Sequence, residues 1–487
     1  MNTITPDIRH YKKPVELPMT REEIGSTTIL FGGLTLNHEH LLKGAIEGLG
    51  YRADYLPVPD NRALQTGKEY GNRGQCNPTY YTVGNLIRYL NGLKERGIKD
   101  IEKKFVFLTA AACGPCRFGM YEAEYRKSLQ NAGFDNFRIL TFEQSDQFGE
   151  TSGGGLDMNK EFYAALIKSL VLGDMLNEAG YRIRPYEESK GETDGVIAQY
   201  REKLSGALRT GSPIIAHLKE LHSRLSAIRV NYLQVRPLVQ IIGEFWAQTT
   251  EGDGNYRLAR WLESEGAEVK LEPVSTWIDY LLWSSMLEEK ERLRIRPMKS
   301  AGRMLGIYML RRLFLFYFNT YRRALGSWIH KLPSQHRLAQ YANPYFDVHI
   351  TGGEGHLEVG KHIMAFKDRK AHMVVSVKPF GCMPSTLSDG VQSKVTSDLP
   401  DSIFLSIETS GDAEINVKSR VQMKLYEARQ RAKEEFTAVL SSHGVHADRL
   451  RDTVTRKPGL ANPLVSLPQE YTGTAANFAV WAVNRGR

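Results

Sequence analysis

FVFLTAAACGPCRFGMYEAEYRKSLQNAGFDNFRILTF, residues 105–142, is the stretch whose reading decides the fold. The apolar run Phe105–Thr109 reads as a strand. Small residues and two cysteines then form a turn, Arg117–Ala132 has helical spacing, and Phe137–Phe142 reads as a second strand. Parallel neighbours need a crossover connection of this length, so strand–turn–helix–strand implies a parallel pair. Three further stretches repeat the pattern without repeating the sequence. Thr27–Gly33 leads to helix Asn37–Gly48 and strand Tyr51–Leu56, and Leu238–Gly243 leads to helix Asn255–Glu265 and strand Ala267–Leu271. Met373–Val377 leads through the turn Lys378–Pro384 to helix Ser385–Thr396 and strand Ile403–Ile407.

Four such units predict an α/β protein of two doubly wound, mainly parallel-sheet lobes with an inserted helical region. The expected division is an N-terminal extension (1–24), a first lobe (25–210), a second lobe carrying the helical insertion (211–430) and an irregular tail (431–487). Helical spacing also covers Asn159–Gly180, Tyr200–Ile228 with a break at Gly211-Ser212-Pro213, and a long segment from Ser275 to Trp328. In that last segment Leu305, Tyr308, Met309, Leu313, Phe314 and Phe316 are expected to form a core-facing stripe.

The chain has 487 residues, 41% of them hydrophobic and 24% charged, the composition of an ordinary globular protein. No stretch approaches the roughly 18 unbroken apolar residues of a membrane span. The first residues, MNTITPDIRHYKKPVELPMTREE, lack the apolar core of a signal peptide. Four cysteines are too few for a disulfide scaffold, so a reducing cytoplasm is expected, with the thiols as ligands or redox groups. Much of the net charge of +9 lies between Lys290 and Arg337. That patch suits acidic lipid, an acidic partner or a phosphate-bearing substrate, or is simply a solvated face. No zinc-finger spacing or aromatic RNA-binding strand accompanies it, so nucleic acid is not expected.

All four cysteines precede expected helices. Cys113 and Cys116 fill the turn after Phe105–Thr109, Cys382 occupies the equivalent turn in the fourth unit, and Cys76 stands before helix Tyr80–Lys94. Unsatisfied N–H groups and the helix dipole favour thiolate there. A C-x-x-C at a helix start suits a redox dithiol, which leaves Cys76 and Cys382 unused. Structural zinc prefers two paired knuckles, and only one pair exists. An iron–sulfur cluster accepts ligands from separate loops, since each thiolate reaches its own iron. Inert packing is the remaining reading for a single buried cysteine.

Several blocks together resemble one protein group in order and spacing: GQCNPTYYTVGNLIRYL, TAAACGPCRFGMYEAEYRKSL, RIRPYEESKGETD, IIGEFWA with RLARWLESEGAEV, and VKPFGCMPS. The group is the 2-hydroxyacyl-CoA dehydratase and benzoyl-CoA reductase superfamily, in its CoA-enzyme-activase-related branch, and the resemblance runs from about Thr27 to Tyr426. It implies a [4Fe-4S] cluster held by cysteine thiolates, with Cys76, Cys113, Cys116 and Cys382 at the matching positions. It also implies electrons from a separate ATP-hydrolysing activator of the actin/sugar-kinase/Hsp70 fold. No phosphate loop or acidic D-x-G-x-T start places that ATPase in this chain. Cys116, nearest the following helix, is expected to be the cysteine that turns away from the cluster.

Glu354, in the Gly-rich Thr351–His356, and Glu244, after Ile241-Ile242-Gly243, are candidate catalytic carboxylates near the ends of strands. A plain loop for Glu354 and a helix cap for Glu244 are the alternatives. Ser152–Gly155 is a weak phosphate cradle, and His349, His356 and His362 have no recognised zinc spacing. The expected function is therefore an iron–sulfur redox protein, an enzyme or enzyme subunit acting on a substrate such as an acyl-CoA, possible as an oligomer. The alternatives are a non-catalytic Fe–S electron carrier or assembly partner, and a zinc- or thiol-stabilised binding protein.

Overall fold

The structure is a computed structural model and describes residues 20–111, 116–143, 156–350 and 353–486. Cys113 and Ser152–Gly155 lie outside the described residues. Two four-stranded, all-parallel sheets form the two lobes. The first contains β1 (Thr28–Phe31), β2 (Arg52–Tyr55), β3 (Phe105–Ala111) and β4 (Arg138–Glu143) in the order β2-β1-β3-β4. The second contains β5 (Leu238–Gly243), β6 (Glu268–Leu271), β7 (Met373–Pro379) and β8 (Ile403–Thr409) in the order β6-β5-β7-β8. Both lobes therefore wind outward from their first strand in the same way, and each has its switch point between its first and third strands.

Alternation along the strands explains the layers. Leu30, Phe107 and Ile139 face one side of the first sheet and pack on Val83, Leu86, Ile87 and Leu90 of helix Asn77–Glu95. Ile29, Phe31, Val106, Leu108 and Leu140 face the other, against Leu42, Ile46 and Phe162. Every residue of β7 is buried, as a central parallel strand covered on both faces requires.

The long helices form a third body. Lys160–Ile183, Glu192–Thr210 and Ile214–Ser226 bury Leu172, Leu204 and Leu221 in one core with Phe314 and Phe318 of helix Pro297–Ala324. The expected break at Gly211–Pro213 is present, with Gly211 in the left-handed conformation at φ 73°. The segment Ser275–Trp328 is two helices, Val274–Arg292 and Pro297–Ala324, because Pro297 can start a helix but not continue one.

Two expectations fail here. Residues 431–487 are not an irregular tail: helix Glu414–Ser442 runs into them, helices Ala447–Arg456 and Thr474–Gly486 follow, and Phe478 and Ala479 are buried in the helical core. Pro458, Pro463 and Pro468, the prolines behind the expectation of an irregular tail, all fall between helices Ala447–Arg456 and Thr474–Gly486. The stripe on Pro297–Ala324 is also reversed. Phe314 is fully buried, but Leu305, Tyr308, Met309, Leu313 and Phe316 are exposed. Phe314, Phe318 and Tyr321 form the packed face instead, with the exposed stripe on the opposite side of the helix.

Candidate functional site

The carboxyl ends of both sheets meet in one crevice, where ligands collect in open α/β folds. Three of the cysteines begin helical turns there. Cys76 caps helix Asn77–Glu95, Cys116 caps the turn Arg117–Met120, and Cys382 caps helix Met383–Asp398. Pro78 and Pro384 sit in the first turns of their helices, where a missing N–H costs nothing.

Direct contacts join the lobes at this point. The Asn77 amide donates to the Phe380 carbonyl at 3.3 Å, and Asn77 Nδ2 donates to the Thr409 carbonyl at 2.7 Å. Gly381 has φ 75°, and a side chain there would bring its Cβ within 3.7 Å of the Cys76 Cα. Cys76 and the Gly381-Cys382 turn are thus neighbours across the crevice, although 306 positions separate Cys76 from Cys382 in the chain.

The sulfur surroundings differ. Cys76 is buried, with Thr79 Oγ1 at 3.3 Å and the Tyr121 hydroxyl at 3.1 Å from its Sγ. Cys116 and Cys382 are half-buried, and Ser385 Oγ donates to Cys382 Sγ at 3.1 Å. Burial, followed among the raising effects by the charges of Glu354, Glu244 and Cys76, pushes the Cys116 thiol up to about 11. Cys382 is raised further by burial and by Glu244. The helix-start position was expected to favour thiolate; desolvation and two nearby carboxylates outweigh it. A metal centre would reverse that balance, because a coordinating thiol is deprotonated outright. Cys116 stands at the start of the turn Arg117–Met120, directly before the helix that opens at Tyr121, and feels the charges of Glu354 and Glu244 there.

Glu244 and Glu354 come together. Glu244 caps the short helix Phe245–Thr249 through Ala247 N at 2.8 Å, the capping role weighed from the sequence. Glu354, at the start of helix Gly355–Lys367, accepts from Phe245 N at 2.9 Å. Burial raises both carboxyls, and the charge of Glu244 raises Glu354 further. His349 pairs with Asp347 on the surface, and His362 bonds Gln392 and stacks on Phe404. His356 lies between the rings of Tyr280 and Trp283, with both ring nitrogens buried and unbonded. The three histidines have separate surroundings.

Sequence reasoning missed the groups around the cysteines. Tyr121 and Asn77 have no motif of their own, and adjacency to Cys76 in C-N-P was the only available signal for Asn77. Beside the cysteines opens a cleft of about 440 Å³, lined by Gln75 and Arg117, their sequence neighbours, and by Asn72, Met120 and Glu124. Phe380, Met383 and Leu387 leave apolar side chains exposed in the Cys382 turn and helix.

Among the described residues, no three His, Cys, Asp or Glu side chains are grouped to hold a single metal ion. Cluster ligands bind separate irons and stand farther apart than ligands of one ion. The donor set suits such a centre: soft sulfur donors from both lobes, with hydroxyls of Tyr121, Thr79 and Ser385 against them. No family model matches the chain, and no curated protein matches it. Among the described residues, no helix is long and apolar enough to cross a membrane.

Proposed function

We propose that the chain is an iron–sulfur redox protein of the 2-hydroxyacyl-CoA dehydratase type, working in a reducing cytoplasm. Cys76, Cys116 and Cys382, together with Cys113, would hold a [4Fe-4S] cluster in the inter-lobe crevice. The cluster would supply one-electron chemistry, accepting low-potential electrons from an ATP-hydrolysing activator. The observation that carries this reading is the meeting of Cys76 with the Cys382 turn across the two lobes. A chain using cysteines only for packing has no reason to begin helices with them on both sides of one crevice.

The chain's own residues have definite parts in this reading. Tyr121 and Ser385 orient sulfur, and Asn77 ties the two cysteine turns together. Glu354 and Glu244, held partly protonated by burial, would keep a proton available beside the crevice. The adjoining cleft and the apolar side chains of Met120 and Phe380 give an acyl group room and contact surface.

Anaerobic purification followed by iron, sulfide and zinc analysis and electron paramagnetic resonance tests the reading. About four irons per chain with matching sulfide are expected. Perturbation of the reduced spectrum by an acyl-CoA would support an enzyme over an electron carrier. Stoichiometric zinc without iron would overturn the cluster.

A further inference from the structure

Helix Pro297–Ala324 is apolar on two opposite faces, and only one is covered. Phe314, Phe318 and Tyr321 are buried, while Met298 is 90% exposed and Leu305, Met309 and Phe316 are each at least 60% exposed. A helix that is apolar on both sides is normally buried on both sides. The exposed residues follow a strict order: Met298, Gly302, Leu305, Met309, Arg312 and Phe316 are spaced alternately by four and three. That is the narrow seam by which one helix receives another. Tyr308 and Leu313 flank it, and a side chain added at Gly302 or Gly306 would meet nothing within 4 Å, which leaves room for close backbone approach.

Charge selects the occupant. The 28-residue helix carries six basic residues and no acidic one. Several of its charges are already used: Arg311 forks onto Asp279 at 2.7 and 3.1 Å, Arg303 reaches Glu289, and Arg322 binds the carbonyls of Ser327 and Ile329. Lys299 and Arg312 remain exposed at or beside the seam and form no ion pair with another described residue. The basic segment is thus smaller as a charged surface than its sequence suggests, and more apolar. Pairing with the same helix of a second copy would oppose two basic seams. A bilayer surface would draw on a polar face rich in free cations, whereas Arg303, Arg311 and Arg322 are already held by groups of this chain.

We propose that the exposed face of Pro297–Ala324 docks an acidic amphipathic helix of a partner protein, with its apolar row in the seam and its carboxylates beside Lys299 and Arg312. This docking face is independent of whatever the cysteines hold.

The probe is a designed heptad peptide with leucine at its seam positions and glutamate flanking them, compared with a counterpart bearing lysine in place of glutamate. The full-length chain should bind the glutamate peptide in preference to the lysine one, more weakly as salt rises. Leu305→Ser with Met309→Ser should weaken binding by about tenfold or more. Their thermal transition should not move, because both side chains are exposed. Lys299→Glu with Arg312→Glu should shift the preference toward the lysine peptide. Binding of neither peptide, or equal binding of both, overturns the inference. Co-sedimentation with phosphatidylcholine/phosphatidylglycerol vesicles that Leu305→Ser abolishes would assign the face to lipid instead. A dimer abolished by the same substitution would assign it to a second copy.

Discussion

In the first lobe the central strand Thr28–Phe31 runs out through Gly32 and Gly33, where an added methyl would meet only side chains, none nearer than 3.2 Å. In the second, Leu238–Gly243 ends on a glycine with φ 125°, and a Cβ there would stand 2.1 Å from the Val377 carbonyl oxygen. The same strand order thus ends in two different ways. The second lobe closes its switch point backbone to backbone, and Glu244 and Cys382 leave from that closed end. The first lobe is open at the same place and sets Cys76 by helix packing: side chains at Gly67 and Gly84 would each bring a Cβ within 1.9 Å of the facing helix's carbonyl oxygen. One topology therefore carries cysteines to a common crevice by two constructions, a tight strand end and a tight helix pair.

The sharpest break of that comparison is in the metal. Cys382→Ser and Cys76→Ser should each remove most of the iron after anaerobic purification, since the proposed cluster draws on both lobes. Iron unchanged in Cys382→Ser, with iron lost in Cys76→Ser, would confine the centre to the first lobe.

Next in size is the backbone. Gly243→Ala should cost about 3 kcal/mol in denaturant unfolding, because a peptide oxygen has to move and the new residue is strained at positive φ. Gly33→Ala, with φ 108° and Trp246 no nearer than 3.9 Å, should cost about 1 kcal/mol from conformation alone. Equal losses would remove the distinction between the closed and open strand ends.

The smaller effect is in protonation. Because the folded state raises the Glu354 carboxyl, it holds that proton more tightly than the unfolded chain does. The resulting stability is complete below the ordinary carboxylate range, near 4.3, and is lost as pH rises through the raised value. The metal-free chain should therefore lose stability between about pH 5 and about pH 8. Glu354→Gln, which can still accept from Phe245 N, should flatten that slope by on the order of 1 kcal/mol per pH unit. An unchanged slope would mean that Glu354 ionises freely in the folded chain.

The sequence by itself determined the parallel units, the helix break at Gly211–Pro213 and the placement of Cys76 and Cys382 before helices. Those features depend on local chemistry: apolar runs long enough for a strand, glycine where φ turns positive, and proline in a first helical turn. It could not determine which side of Pro297–Ala324 is covered, because periodicity shows which residues share a face and not what packs against it. It also took the last residues for a tail, since their prolines are local and the core that receives Phe478 is assembled from helices hundreds of positions away. Only the tertiary structure brought the Asn77 side chain to the Thr409 carbonyl and the two buried carboxylates to the start of one helix. The balance at the thiols was settled there as well, because desolvation and neighbouring charge depend on distances that no spacing in the chain encodes.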